Sequence, residues 1–168
     1  MTTARHRPDP EKSLVGFLVG TVHYAVPISS VREIVNPLAV VGLPHAPPAV
    51  TGVADHRGEV VPIVDLRRRF GLEPTTDSRR AKWILVDVER RIVGLQVDAV
   101  TEVFGTGGAE LRSAPLLGDG DVHRGILGVT TYDDAMVFVL DVGSFEQLTA
   151  PLEQQGLLAS SAPPKASG

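Results

Sequence analysis

Cysteine is absent from the 168 residues, so disulfides and thiolate chemistry are excluded together. Aromatic side chains make up only 5% of the chain, and none accompanies the arginines to form the stacking platform that nucleic acid uses. A formal charge of −4 gives no general electrostatic reason for a nucleic-acid partner either. No apolar run approaches a membrane span, and the opening MTTARHRPDPEK has no apolar core of a signal peptide. A soluble, cytoplasmic protein without direct membrane insertion is expected. Long helical patterns are missing too. With none to carry a βαβ crossover, a parallel sheet is not expected.

What is abundant points to β structure. Val is frequent, and 17 Gly and 13 Pro punctuate the chain with turns. Ser13–Val19 and Val22–Val26 read as strands of a hairpin turned by Gly20-Thr21. Ser30 and Glu33 have capping-box spacing, which predicts a helical turn over Val31–Val35. Leu38–Val41 is a candidate strand, followed by a proline-stiffened loop to Pro48.

The stretch AVTGVADHRGEVVPIVDLRRRFGL, Ala49 to Leu72, reads as strand, tight turn, strand and short helix. Asp55-His56-Arg57-Gly58 supplies the turn, and Pro62 within the second strand argues for an edge or a bulge. Asp65 can cap a helical turn, Leu66–Phe70, that Gly71 closes. Arg57 lies at the hairpin tip, where a connecting segment can meet another molecule.

After the polar linker Glu73–Arg80, Lys82–Val88 and Ile92–Val103 predict a second hairpin, with Gly94 marking a bulge or close backbone approach. Ile126–Thr130 and Met136–Val142 predict a third, turned at Tyr132-Asp133-Asp134. Ser144 and Gln147 have the spacing to start a terminal helix that Pro151 interrupts. The two halves share a plan of hairpin, irregular stretch, hairpin and helical turn. Nine or ten short strands indicate small barrels or a sandwich.

The search for chemistry finds nothing to prefer. His6, His23, His45, His56 and His123 are scattered singly, without metal-ligand spacing, and read as isolated surface histidines. Asp119-Gly120-Asp121 is a fragment of a calcium loop without the closing Glu, and Gly105–Gly108 is not followed by Lys-Ser/Thr. There is no G-x-S-x-G elbow. Arg67-Arg68-Arg69 with Arg79-Arg80 is the one basic concentration, either a solvated face or a contact for an acidic protein. No cofactor is implied, and a binding module is favoured over an enzyme.

GVADHRGEVVPIVDLRRRFGL resembles the central signature of the CheW family of bacterial chemotaxis adaptors. The likeness continues in Gly16–Val19, His23–Ile28, Val31–Ile34, Leu43-Pro44, Ile92–Val100, Ala114-Pro115, Ile126–Gly128 and Met136–Val142. It implies an all-β fold of two small five-stranded β-barrels packed on a shared hydrophobic core, with short helical turns and a C-terminal helix. Residues 1–11 would be a flexible N-terminus and 12–148 the CheW-like domain. Within it, barrel 1 would span about 17–80, and barrel 2 about 81–148 plus strand residues 12–16; 149–168 would be a C-terminal helix and disordered tail.

The resemblance further implies no catalysis. The family's adaptors join the cytoplasmic tip of a chemoreceptor to the regulatory domain of a CheA-type histidine kinase. A receptor hairpin would lie in an apolar groove between the barrels, and barrel ends would meet the kinase. On that pattern Val31, Ile34, Val53, Ile92 and Val93 are candidates for groove or groove-adjacent positions, with plain core as the competing reading, and Arg57 is expected to pair with Glu33. Asp55-His56 stands where the family usually has Asn-Leu, which suggests an adaptor for a dedicated pathway such as motility. Rival readings are a regulator that binds receptors without engaging the kinase, a stand-alone barrel that binds a small ligand or nucleic acid, against which the poor aromatic content counts, and an enzyme with an unrecognised carboxylate site.

Overall fold

The computed structural model describes residues 13–75, 77–105, 112 and 125–154. The polar N-terminus, the Asp119–Asp121 loop and the low-complexity tail lie outside the described residues. Ten strands follow in order: β1 (Ser13–Val19), β2 (Val22–Pro27), β3 (Val31–Val35), β4 (Val50–His56), β5 (Glu59–Asp65), β6 (Lys82–Val88), β7 (Arg91–Val97), β8 (Ala99–Gly105), β9 (Ile126–Tyr132) and β10 (Ala135–Leu140). Helix α1 (Leu66–Arg69) follows β5, and α2 (Glu146–Gln154) closes the described chain.

The strands form two five-stranded sheets, ordered β8-β1-β2-β10-β9 and β3-β6-β7-β5-β4. The fold is all-β, as expected, but the sheets are open, because β8 and β9, like β3 and β4, share no ladder. The barrel boundaries differ from the expected ones as well. Lys82–Val97 joins the sheet of β3–β5, and the whole of Ser13–Pro27 joins the sheet of β8–β10.

One rule generates this arrangement. Replacing β3, β6, β7, β5 and β4 by β8, β1, β2, β10 and β9 converts one sheet order into the other. The registers agree: Leu85 faces Gly94 where Gly16 faces Ala25, and Ile63 pairs in parallel with Gly94 where Val139 pairs with Ala25. Val41 bridges Val53 as Arg112 bridges Val129. Asp65 caps α1 by accepting from the Arg67 amide, and Asp141 caps the turn before α2 by accepting from the Gly143 amide. The chain is thus a tandem structural repeat, β1–α1 followed by β6–α2, whose leading hairpins have changed places. Neither repeat holds a complete sheet of its own, so the halves are bound to fold together.

The exchange also accounts for the parallel ladders β2–β10 and β5–β7, which were not expected. No helical crossover is needed, because the connection between parallel partners runs through other strands. Pro62 lies in a strand with neighbours on both sides, not on an edge. It is tolerated because the ladder to β7 starts only at Ile63, so its missing N–H falls where that side is unpaired.

Three local readings are corrected by tertiary pairing. Val31–Val35 is a strand laddered to β6, not a helical turn, and the Glu33 carboxylate is engaged elsewhere than in a capping box. Ile92–Val103 is not one arm: it breaks at Asp98 into β7 and β8, which belong to different sheets. The C-terminal start is capped by Asp141 rather than Ser144, whose hydroxyl donates to the Asp141 carbonyl, and Pro151 sits inside α2 without ending it. Gly94 marks close approach and no bulge: a Cβ there would lie 2.6 Å from Ile63 Cδ1.

The main core fills the space between the sheets with Val15, Phe17, Val26, Val64, Leu66, Ile84, Val93, Leu95, Leu140 and Leu152 among others. A second cluster of Ala54, Val61, Ile63, Trp83, Leu85 and Ile92 fills the interior of one sheet. Leu14, Ala25, Phe104, Val137 and Val139 fill that of the other. Strands buried on both faces explain the near-continuous apolar runs in the sequence.

Asp98, at the switch between sheets, ties the repeats together. Its carboxylate accepts from Arg67 Nε at 2.9 and 3.0 Å and from the Gly20 amide at 2.6 Å, while its own amide donates to the Leu18 carbonyl. The hydrogen bond to Asp98 raises the Arg67 pKa above its ordinary value. Asp98→Ala leaves Arg67 Nε and the Gly20 amide without their acceptor, while Arg67 Nη1 keeps its bond to the Glu73 carbonyl, and is expected to lower unfolding free energy by about 2 kcal/mol. Urea denaturation of the full chain measures this.

Candidate functional site

The β4–β5 hairpin turns on two residues, Arg57 at φ 52° and Gly58 at φ 83°, the pair of positive angles that a two-residue hairpin turn requires. Asp55 holds the turn by accepting from the Gly58 amide at 2.9 Å. Arginine pays on the order of 1 kcal/mol for this conformation. In return its side chain projects from the tip across the open seam of the sheet toward β3.

There Arg57 Nη2 donates to Glu33 Oε1 at 2.9 Å, and His56 Nε2 lies 3.0 Å from Glu33 Oε2. One carboxylate therefore engages both the last residue of the hairpin arm, His56, and its tip, Arg57, and it does so where β3 and β4 share no ladder. The expected Arg57–Glu33 pair is present. His56 is its unexpected second member: the imidazole is only 15% exposed, not the isolated surface histidine that its spacing implied. A signal for it was in the sequence, because Asp55-His56 departs from the family's Asn-Leu. Asp55 does the turn-capping work open to an Asn, and His56 adds a contact that a Leu lacks. With the Arg57 side chain 75% exposed, that ion pair adds only about 0–1 kcal/mol of stability. Its effect is geometric.

The other candidate residues divide. Val31 and Val53 are half-buried at the margin of the core between the sheets, and Ile34 is 39% exposed on β3. Leu38, Val40 and Val41 on the β3–β4 connector and Val60 on β5 are also exposed, so apolar surface lies along the same part of the chain as the latch. Ile92 and Val93 are buried side chains of β7. Successive residues of β7 face opposite ways, so Ile92 enters the sheet interior and Val93 the core between sheets, both buried.

The second repeat carries a matching arrangement. Tyr132, at the end of β9, donates to Glu102 of β8 at 3.0 Å across the other open seam, and this bond holds the Tyr132 phenol pKa above its usual value. Glu102 corresponds to Glu33 and Tyr132 to His56, an equivalence visible only after the strands are paired. Among the described residues no group of three or more His, Asp or Glu side chains is placed to hold a metal ion. No helix among them is long and apolar enough to cross a membrane.

Comparison with known proteins agrees with this architecture. The chemotaxis protein CheW of Rhizobium meliloti is 31% identical over 141 residues, covering 84% of this chain and 91% of that protein. The probable chemotaxis protein CheW of Rhizobium etli is 30% identical over 132 residues, 79% and 85% of the two chains. The crystal structure of the scaffolding protein TtCheW from Thermoanaerobacter tengcongensis superposes with a TM-score of 0.71 at 28% identity, covering 83% of this chain and 90% of that one. The CheW-like domain model matches residues 13–148, nearly the whole of the described fold, and the chain belongs to that family.

Proposed function

We propose that this protein is a non-enzymatic adaptor of the cytoplasm that couples the signalling tip of a chemoreceptor to the regulatory domain of a CheA-type histidine kinase. The observation that carries the reading is the Glu33 latch. It fixes an exposed arginine and a hairpin tip beside Val31, Val53, Ile34 and the apolar connector, on a surface with contacts to offer. Apolar side chains flanked by a positioned charge suit docking, in which the apolar area supplies affinity and the charge supplies register. Ile92 and Val93 support that surface from beneath and do not touch a partner.

The test is to supply a receptor cytoplasmic fragment and the kinase regulatory domain separately to the full-length protein. Both are expected to be retained. Arg57→Ala is expected to weaken at least one of these interactions about tenfold while shifting stability by about 1 kcal/mol or less. Unchanged binding of both in a folded Arg57→Ala variant removes Arg57 from the contact. Retention of the receptor fragment alone replaces the coupling role with that of a competitor.

A further inference from the structure

The two sheets are built alike yet filled differently. Where one interior holds Trp83, Leu85, Ile92 and Ile63, the equivalent places in the other hold Leu14, Gly16, His23 and Val139. Phe104 and Tyr132 replace Val35 and His56, but they stack on each other with ring centroids 4.1 Å apart and do not fill the space. A recess of about 200 Å³ results, bounded by Gly16, His23, Phe104, Ala135 and Val137, with Thr101, Glu102, Tyr132 and Asp133 also lining it. This is larger than the ~150 Å³ that admits benzene in an engineered cavity.

Its chemistry has one sign. Buried Gly16, Phe104 and Val137 form an apolar floor, the exposed carboxylates of Glu102 and Asp133 lie at the rim, and among the described residues no lysine or arginine lines it. The stacked pair Phe104–Tyr132 supplies an aromatic wall.

We infer that this recess is a binding site for a small organic cation, an ammonium group carrying an apolar body. It lies on the other sheet from the Glu33 latch. The apolar floor and aromatic wall would take the body, and the two carboxylates would take the charge.

An NMR titration of the full chain with choline, and separately with its uncharged carbon isostere, tests this. Choline is expected to give saturable shifts at the Gly16, His23, Thr101 and Ala135 amides, and the isostere to bind about tenfold or more weakly. Glu102→Gln, which keeps an acceptor for Tyr132, is expected to weaken choline about tenfold. His23→Ile, which copies Ile92 of the filled sheet, is expected to abolish binding while keeping the unfolding midpoint. Absence of saturable shifts at millimolar choline overturns the proposal. So does equal binding of the isostere, or binding unchanged in both folded variants.

Discussion

Trp83→Ala is expected to lower the unfolding free energy by about 3–5 kcal/mol, the range for truncating a fully buried tryptophan. Trp83 is 1% exposed, fills the interior of its sheet against Ile63, Leu85 and Ile92, and donates from Nε1 to Gln96 Oε1 at 3.1 Å. That sheet has no ladder between β3 and β4, so its interior side chains and the Glu33 latch do what a closing strand pair would do in a barrel. Trp83 also pairs with Val35 on β3, and its loss loosens the strand that carries Glu33. Since it is the single tryptophan, the measurement is far-UV circular dichroism in urea rather than fluorescence. The midpoint should fall with the slope preserved. Leu14→Ala, at the equivalent place in the sheet with the recess, is expected to cost less, because less volume is removed from a site already loosely filled. A loss under about 1 kcal/mol for Trp83→Ala would mean that neighbours collapse into the void and that the interior is not close-packed.

Local chemistry was legible wherever it decided local structure. Gly20, Gly58 and Gly71 stand at turns with positive φ, and Asp65 is followed by α1, which it caps. The hairpins therefore lie near their expected places. What could not be read was which hairpin joins which sheet. Exchange of the leading hairpins leaves every local pattern unchanged, since β6 is equally apolar whether it neighbours β7 alone or β3 as well. Val31–Val35 failed for a related reason. Ser30 and Glu33 have the spacing of a capping box, but β-branched Val31, Ile34 and Val35 gain more from the ladder to β6. The break at Asp98 was hidden because the chain is rich in apolar, β-branched residues on both sides of it, and only its bonds to Arg67 and Gly20 mark the crossing.

The candidate site was legible to the same depth. Arg57 and Glu33 were paired from the family likeness, and the geometry places them 2.9 Å apart. For Ile92 and Val93 the sequence leaves groove and core undivided, because a buried valine and a groove valine look the same in sequence; both side chains are buried. The sequence marks Asp55-His56 as unusual but not the bond His56 makes, and it does not mark the recess, because both take their meaning from comparison across repeats: Glu33 with His56 against Glu102 with Tyr132, and Leu85 with Ile92 against Gly16 with His23. Those correspondences appear only when the strands are superposed by register.

Gly52→Ala is the substitution expected to connect stability to the docking surface most directly. Gly52 adopts φ 151°, and a Cβ there would lie 2.1 Å from the Val41 carbonyl oxygen and 2.8 Å from Val40 Cγ1. The Val41 carbonyl accepts from the Val53 amide at 2.9 Å, and the Val41 amide donates to the Val53 carbonyl at 2.8 Å. A methyl group at Gly52 forces that bridge apart, because the atom it meets is backbone and has no rotamer to change. Clash and backbone strain together are expected to cost about 3 kcal/mol. The Val41 and Val53 amides should lose hydrogen-exchange protection before the rest of the sheet does. Gly58→Ala is the matched control: it too sits at positive φ, 83°, but nothing lies within 4 Å of its Cβ position, so it should cost about 1 kcal/mol. The connector released by Gly52→Ala carries the exposed Leu38, Val40 and Val41, so partner binding should fall even in the fraction that remains folded. Equal costs for the two glycine variants would show that the close approach of Val41 is not what holds the connector. The apolar strip would then be mobile, and register for a partner would have to come from the Glu33 latch alone.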